Sequence, residues 1–350
     1  MRPATEIICN LPAWPPMAAR RWPQLEQALR RRLNPAAITQ VRSPEEATHA
    51  ASEAIARGHQ RLIAVGHQGI ANGVLQALMA LDAPIRFRHS MGLLSLGAIH
   101  PWCVSLNMPA GLAQQISILE GGNTLPMDVG RAMLDGAVNG HGVSGNHPWY
   151  FLNSAAVGPN TPGMELALHG DAATRLGALV NALWGGVVRE SATVRMVSGT
   201  RVLHDGPCGM VLLMGGAFHP WLGRVAPAAG LDDGLLEVGA LRLGGMVEQT
   251  LRAWVLATLT RRKTGGPPLH SVEAAQVFSP GGPLPVRLDG RLLGHTPAGF
   301  SVERRALNVV VPEVAIRLGK RVEQLAARTA GRGLAGYSRQ GPPMGRASGL

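Results

Sequence analysis

At 350 residues, 46% of them hydrophobic, the chain is long enough to bury two cores and is read as two domains. It has no uncharged apolar run of about 18 residues, and its start, MRPATEIICNLPAWPP, lacks a secretory signal's apolar stretch, so a cytoplasmic protein is expected rather than a membrane-spanning or exported one. The net charge of +11 suggests an anionic partner, but from Arg317 onward seven basic residues accompany one acid, which suits a solvated tail or peripheral contact with an anionic membrane better than nucleic acid.

Glu6–Cys9 reads as a short buried strand, followed by the proline-rich loop NLPAWPP. Trp22, Leu25, Leu29 and Leu33 share one face of a helix over Trp22–Leu33. In SPEEATHAASEAIARG, Ser43 suits an N-cap, Pro44 the first helical position and Glu46 a capping box, and Gly58 ends the helix. Leu62–Val65 is a strand that stops at Gly66. A second glycine, Gly69, precedes a helical pattern with Val74, Leu75, Leu78 and Met79 on one face. Leu93–Leu96 is another short strand, ending in Gly97, and Leu112–Glu120 is helical in pattern. This alternation predicts a parallel α/β layer.

From about residue 145 short strand-like runs take over: WYFLNSAAVG, ATVRMV, GMVLLMGG, GLLEVGAL, AAQVFS, PVRLDG and LNVVV. Helical stretches at Ala172–Val188 and Met246–Arg261 interrupt what otherwise reads as an antiparallel β domain. Val314–Ala327 reads as one more helix, and the Gly/Pro/Ser-rich end is expected to be disordered. The expected boundaries are 1–145 for the α/β domain (completed by about 312–330), 146–312 for the β domain and 331–350 for the tail.

Three groups of residues carry chemistry. A strand, glycine turn and helix at Leu62–Met79 offer backbone N–H groups and a helix N-terminus to a phosphate, though tight glycine turns are common in α/β domains. Acids lie near strand ends: Asp128 in MDVG, Asp232 and Asp233 in LDDG, Asp289 in LDGR, where Asp-Gly pairs also serve as hairpin turns. His67, His100, His219 and His295 each adjoin a glycine or proline and fit no metal spacing, so they read as polar loop residues. Cys9, Cys103 and Cys208 are scattered and read as small buried residues in a reducing compartment.

Taken in order, these segments resemble the diacylglycerol kinase catalytic family in its bacterial soluble form, a group that includes sphingosine and ceramide kinases. The resemblance runs from about Glu6 to Pro312. It is most specific in RVAPAAGLDDGLLEV (Arg224–Val238) and PLPVRLDGRLLGHTPAGFSVERRALNVVVP (Pro283–Pro312), with TLPMDVGRA and YFLNSAAVG matching middle segments. It implies an α/β nucleotide-binding-type domain with a parallel sheet plus a C-terminal antiparallel β-sandwich domain, with the active site in the cleft between them. It implies ATP and Mg²⁺, and phosphoryl transfer to the hydroxyl of a diacylglycerol- or sphingoid-like lipid. Asp289 matches the family's general base, Asp128 a supporting acid, and Asp232 with Asp233 a loop acid associated with magnesium. Gly66, Gln68, Gly69, Asn72 and Gly97 match its nucleotide-binding positions.

The nucleotide side departs from that pattern. Gly66-His67-Gln68-Gly69-Ile70 stands where the family has Gly-Gly-Asp-Gly-Thr, and Gly73 replaces the acid after Asn72. Around Gly97 a hydroxyl and a carboxylate are replaced, Trp14 occupies a position of small residues in the first loop, and Arg291 stands where glutamate is usual. The resemblance therefore supports an active kinase with a divergent nucleotide loop. Two alternatives are a catalytically impaired member that binds a lipid or protein partner, and another enzyme with a different phosphoryl donor. Glu120, Asp135 and Glu165 are candidate replacements for the missing acids, and Trp14 or Ile70 could plug the cleft. Trp221, Leu222 and Val225 suit an acyl pocket or the β-domain core.

Overall fold

The computed structural model describes residues 3–10, 20, 22–95, 101–135, 147–159, 191–219, 224–241 and 268–313. In its N-terminal part, β1 (Thr5–Cys9), β2 (Ala37–Gln40), β3 (Arg61–Val65) and β4 (Ser90–Leu94) run parallel in the order β2-β1-β3-β4. Between them lie α1 (Trp22–Leu33), α2 (Pro44–Ala56), α3 (Gln68–Met79) and the short α4 (Ala83–Arg86), with α5 (Pro101–Ser105) and α6 (Leu112–Gly121) after β4. Side-chain alternation along the strands divides the core between two faces. Ile7, Cys9, Ile63, Val65 and Leu94 meet α1 and α6 through Trp22, Leu25, Leu29, Leu33, Ile116 and Leu119. Ile8, Leu62, Ala64, Met91 and Leu93 pack under α2 and α3.

The inward face of α2 is alanine: Ala47, Ala50, Ala51 and Ala54. That lets α3 approach closely, and a Cβ on Gly73 would lie 2.3 Å from the Pro44 carbonyl oxygen and 2.8 Å from the Ala47 Cβ. The glycine standing where the family has an acid thus has a steric role of its own. The expected N-cap is present, with Ser43 Oγ accepting from Glu46 N at 3.1 Å, while the Glu46 carboxylate accepts from Arg42 N at 2.7 Å. Both α2 and α3 begin at the C-terminal edge of the parallel sheet, the edge at which such folds place their sites.

The remaining strands are β5 (Thr124–Asp135), β6 (Trp149–Phe151), β7 (Ser154–Val157), β8 (Ala192–Ser198), β9 (Arg201–Cys208), β10 (Met210–Met214), β11 (Leu236–Leu241), β12 (His270–Val272), β13 (Ala274–Phe278), β14 (Pro285–Leu288) and β15 (Arg291–Val310). The long strands β5 and β15 pair antiparallel and run through both parts of the molecule; Val309 of β15 also pairs parallel with Met91 of β4. From β15 two antiparallel limbs extend, β14-β7-β10-β11-β12 and β13-β8-β9. Their inner faces share one core containing Phe151, Val157, Val194, Leu213, Val238, Val277, Val286 and Phe300. The molecule is therefore an α/β layer with a parallel sheet joined to a C-terminal antiparallel β region, as the sequence predicts.

The three cysteines are buried, and burial pushes the Cys9 and Cys103 thiols up to about 12 and Cys208 to about 11, so they are inert side chains. Among the described residues no helix is long and apolar enough to cross a membrane. The predicted helices at Ala172–Val188, Met246–Arg261 and Val314–Ala327, and the tail, lie outside the described residues.

Candidate active site

Three chain segments meet at the C-terminal edge of the parallel sheet. The first is the turn after β3. Gly66 has φ of 133°, a conformation that favours glycine, and it lets the chain leave the strand and enter α3. His67 caps that helix, its Nδ1 accepting from Gly69 N at 3.0 Å. A Cβ on Gly69 would meet the His67 ring at 2.8 Å and the Pro44 ring at 3.1 Å, so glycine here fits the turn against α2. His67, read as a loop residue, thus has a defined local task. Gln68 is buried at the start of α3, and Ile70 is fully buried in the core under α2 rather than plugging the cleft.

The second segment is the hairpin between β14 and β15. Asp289 and Gly290 form its two-residue loop, both at positive φ (47° and 86°), with Leu288 paired to Arg291. That is the pattern an Asp-Gly hairpin turn requires. The turn accounts for the backbone but not for the side chain, which is 3% exposed. Asp289 Oδ1 accepts from Asn153 N at 2.9 Å and Ser154 N at 3.1 Å, and Oδ2 from Leu152 N at 2.8 Å and Asn72 Nδ2 at 3.2 Å. In exchange, Asp289 N donates to the Ser154 carbonyl at 2.8 Å. The predicted single strand WYFLNSAAVG breaks here into β6 and β7 because these N–H groups turn to the carboxylate. Burial raises the Asp289 carboxyl above its usual range, opposed by those three backbone donors and the Asn72 amide.

The third segment is the polar side of α3. Asn72 is fully buried, donates to the Tyr150 carbonyl at 2.9 Å, and is followed one turn later by Gln76, which donates to the same carbonyl at 2.7 Å. Arg291 crosses from the hairpin, its Nη1 donating to Asn72 Oδ1 at 3.3 Å and its Nη2 pairing with Glu45 in the first turn of α2. Burial lowers the Arg291 pKa, and the negative charges of Glu45 and Asp289 oppose that.

The other acids gather elsewhere. Asp128 Oδ1 accepts from Arg305 N at 2.7 Å and Oδ2 from Gly234 N at 2.5 Å, while Asp128 N donates to the Leu231 carbonyl. Burial raises its pKa, the two backbone bonds lower it, and Asp233 and Asp232 push it up again. Asp233 folds its own loop, accepting from Gly230 N and Leu235 N at 3.0 Å each, and Asp232 pairs with Arg305 at 3.4 Å. The structure thus brings Asp128, Asp232 and Asp233 together, and it joins Asp289 to Asn72, in the second turn of the helix that follows Gly66 and opens with Gln68 and Gly69. No hydrogen bond among the described residues joins the two groups.

A family model described as the diacylglycerol kinase catalytic domain matches residues 7–132. A diacylglycerol kinase of Bacillus subtilis strain 168 is 25% identical over 273 residues, spanning 77% of this chain and 83% of that relative. Over residues 7–132 the chain is thus similar to the diacylglycerol kinase catalytic domain. Two crystal structures from Bacillus anthracis strain Sterne, one titled a diacylglycerol kinase and one a candidate for that activity, have TM-scores of 0.60 and 0.68. Each is 16% identical and covers 89% of this chain, with 97% and 98% of their own lengths matched; at that identity the likeness shows the fold.

Several ligating groups of that domain's pattern are replaced in this chain, and of the candidate substitutes Glu120 and Asp135 are engaged elsewhere. Glu120 binds Arg32 at 2.7 Å between α6 and α1, and Asp135 ends β5 opposite His295. Glu165, Gly97, Trp14, His100, Trp221 and Leu222 lie outside the described residues, and Val225 is buried beside Met210 and Leu212. His219, expected in a polar loop, is instead 2% exposed, and burial lowers its pKa to about 3. No group of three His, Cys, Asp or Glu suited to a metal occurs among the described residues. Each oxygen of Asp128 and Asp233 accepts one backbone N–H and Arg305 pairs with Asp232, so these acids hold their loop, with lone pairs left over on Asp128 and Asp233. Sequence reasoning missed Glu45 and Gln76, although Asn72 and Gln76, four apart on a buried helix, were a legible signal of a polar seam.

Proposed function

We propose that this protein is an ATP-dependent lipid kinase in which Asp289 is the general base. The observation that carries the reading is the buried Asp289 carboxylate, held by four donors at the meeting point of the glycine turn, α3 and the β hairpin. A hairpin needs only a residue that tolerates positive φ there; burying a carboxylate in addition is costly unless its charge is used. In the reaction, the lipid hydroxyl oxygen bonds to the γ-phosphorus of ATP as the bond to the bridging oxygen breaks. That bond's electron pair leaves with ADP, and the hydroxyl proton passes to Asp289.

A carboxylate offers about four lone-pair positions, and four donors occupy them here. The Asn72 amide makes the longest of those bonds and is the side-chain donor among them. It is therefore the donor a substrate hydroxyl replaces, while the three backbone N–H groups hold the carboxylate in place. The nucleotide phosphates would lie at the Gly66–Gly69 turn beside the N-terminus of α3, lined by Gln68, with His67 giving up its bond to Gly69 N. Asp128 has a supporting role through the loop it anchors, and Asp232 and Asp233 keep that loop's shape. The non-catalytic alternative is less well supported, since Ile70 packs into the core under α2 and the base position is kept with its donors.

The test is transfer of labelled γ-phosphate from ATP, with Mg²⁺, to a mixed lipid extract. Label in a lipid band with wild type that disappears with Asp289→Asn is the expected result. Asparagine also tolerates positive φ, so the turn is preserved. No transfer by folded wild type, beside an active kinase of the same family, would overturn the reading.

A further inference from the structure

Arg291 is a cation in an unusual place. Its guanidinium bridges the first turn of 13-residue α2, through Glu45, and the second turn of 12-residue α3, through Asn72. A helix N-terminus carries the positive end of the dipole and unpaired N–H groups, so a further positive charge beside that of α2 calls for an anion. In this structure the anion is Glu45. That carboxylate's side chain is 60% exposed, against 17% for Arg291. Ion pairs with so exposed a partner are weak and easily exchanged. A guanidinium also presents a planar fork that matches phosphate oxygens.

We propose that Arg291 is the polyphosphate-binding cation of this site, and that Glu45 is a built-in competitor that occupies it until a phosphoryl donor arrives. The proposal rests on the kinase reading of the site and adds to it a residue that touches the donor. The hydrogen bonds give it a consequence. Arg291 holds Asn72 Oδ1, and Asn72 Nδ2 in turn caps Asp289. When Arg291 turns from Glu45 and Asn72 to a polyphosphate, the amide is freed, and the lone pair that the lipid hydroxyl needs is uncovered. Donor binding and exposure of the base are then one event, which keeps the carboxylate covered while the donor is absent.

An Arg291 that merely ties the hairpin to α2 makes a different prediction. For a strut, removing either partner lowers stability and leaves phosphate affinity alone. For a competitor, the two partners act in opposite directions. The experiment is calorimetric titration of the full chain with ATP, and separately with inorganic tripolyphosphate, in Mg²⁺, using wild type, Glu45→Gln, Arg291→Gln and Arg291→Lys. Thermal unfolding of each variant establishes that it is folded. Glu45→Gln is expected to bind both probes several-fold more tightly and Arg291→Gln at least tenfold more weakly, with Arg291→Lys between wild type and Arg291→Gln. Wild-type affinity in Arg291→Gln, or weaker binding in Glu45→Gln, overturns this inference while leaving the kinase reading intact. Failure of wild type to bind either probe overturns both.

Discussion

Asp289 and Asp128 both accept backbone N–H bonds from residues more than a hundred positions away, and burial raises the pKa of both. Their surroundings differ. Asp289 is 3% exposed, sits beside a cation and a helix N-terminus, and has one side-chain donor that can give way. Asp128 is half-buried, its oxygens go to Gly234 and Arg305, and its ionisable neighbours include two further acids. The first arrangement holds a carboxylate where a reactant can reach its lone pair. The second uses a carboxylate to pin a loop to a strand. The same residue type in two acidic motifs thus does two kinds of work, and the pairing of partners tells them apart.

The comparison breaks or sharpens most visibly with Asp289→Asn. Loss of the base is expected to lower kcat by about 10² to 10⁴-fold with the fold retained. Next in size is Asn72→Ala. The base must be ionised, so the rate falls as pH drops through its pKa, and burial already sets that acid limb above the ordinary carboxylate range. Asn72 lowers the Asp289 pKa, so its removal moves the limb to higher pH; a pH–rate profile with an unmoved limb would show that another group titrates. Asp128→Asn keeps one acceptor oxygen and loses the other, costing about 1 to 2 kcal/mol of stability in denaturant unfolding while activity changes only a few-fold. Asp233→Ala removes an exposed turn's two bonds, an effect of about 1 kcal/mol or less, read as a small drop in Tm.

Much of the fold was legible in local pattern. The Trp22–Leu33 stripe, the Ser43 cap and the alternation of strand and helix each encode their own element, and all are observed. The strand lengths were less legible. β15 reads in the sequence as separate runs, and only the pairing of β5 along it makes one 20-residue strand. The site was legible as residue types and not as geometry. Nothing local says that Leu152, Asn153 and Ser154 give their N–H groups to a residue some 135 positions on, or that Gly73 is required by the Pro44 carbonyl. Such facts arise from packing between distant segments, and neither periodicity nor composition contains them.

The most direct test of the central claim measures phosphoryl transfer from ATP to lipid for Asp289→Asn and Asp128→Asn side by side, at saturating donor and with thermal unfolding recorded on the same samples. The account predicts that Asp289→Asn lowers transfer by at least about a hundredfold in a protein that is still folded, whereas Asp128→Asn changes it only a few-fold, each variant unfolding at a somewhat lower temperature for its lost acceptor oxygen. Equal loss of transfer from the two variants, or near wild-type transfer by Asp289→Asn, would contradict it.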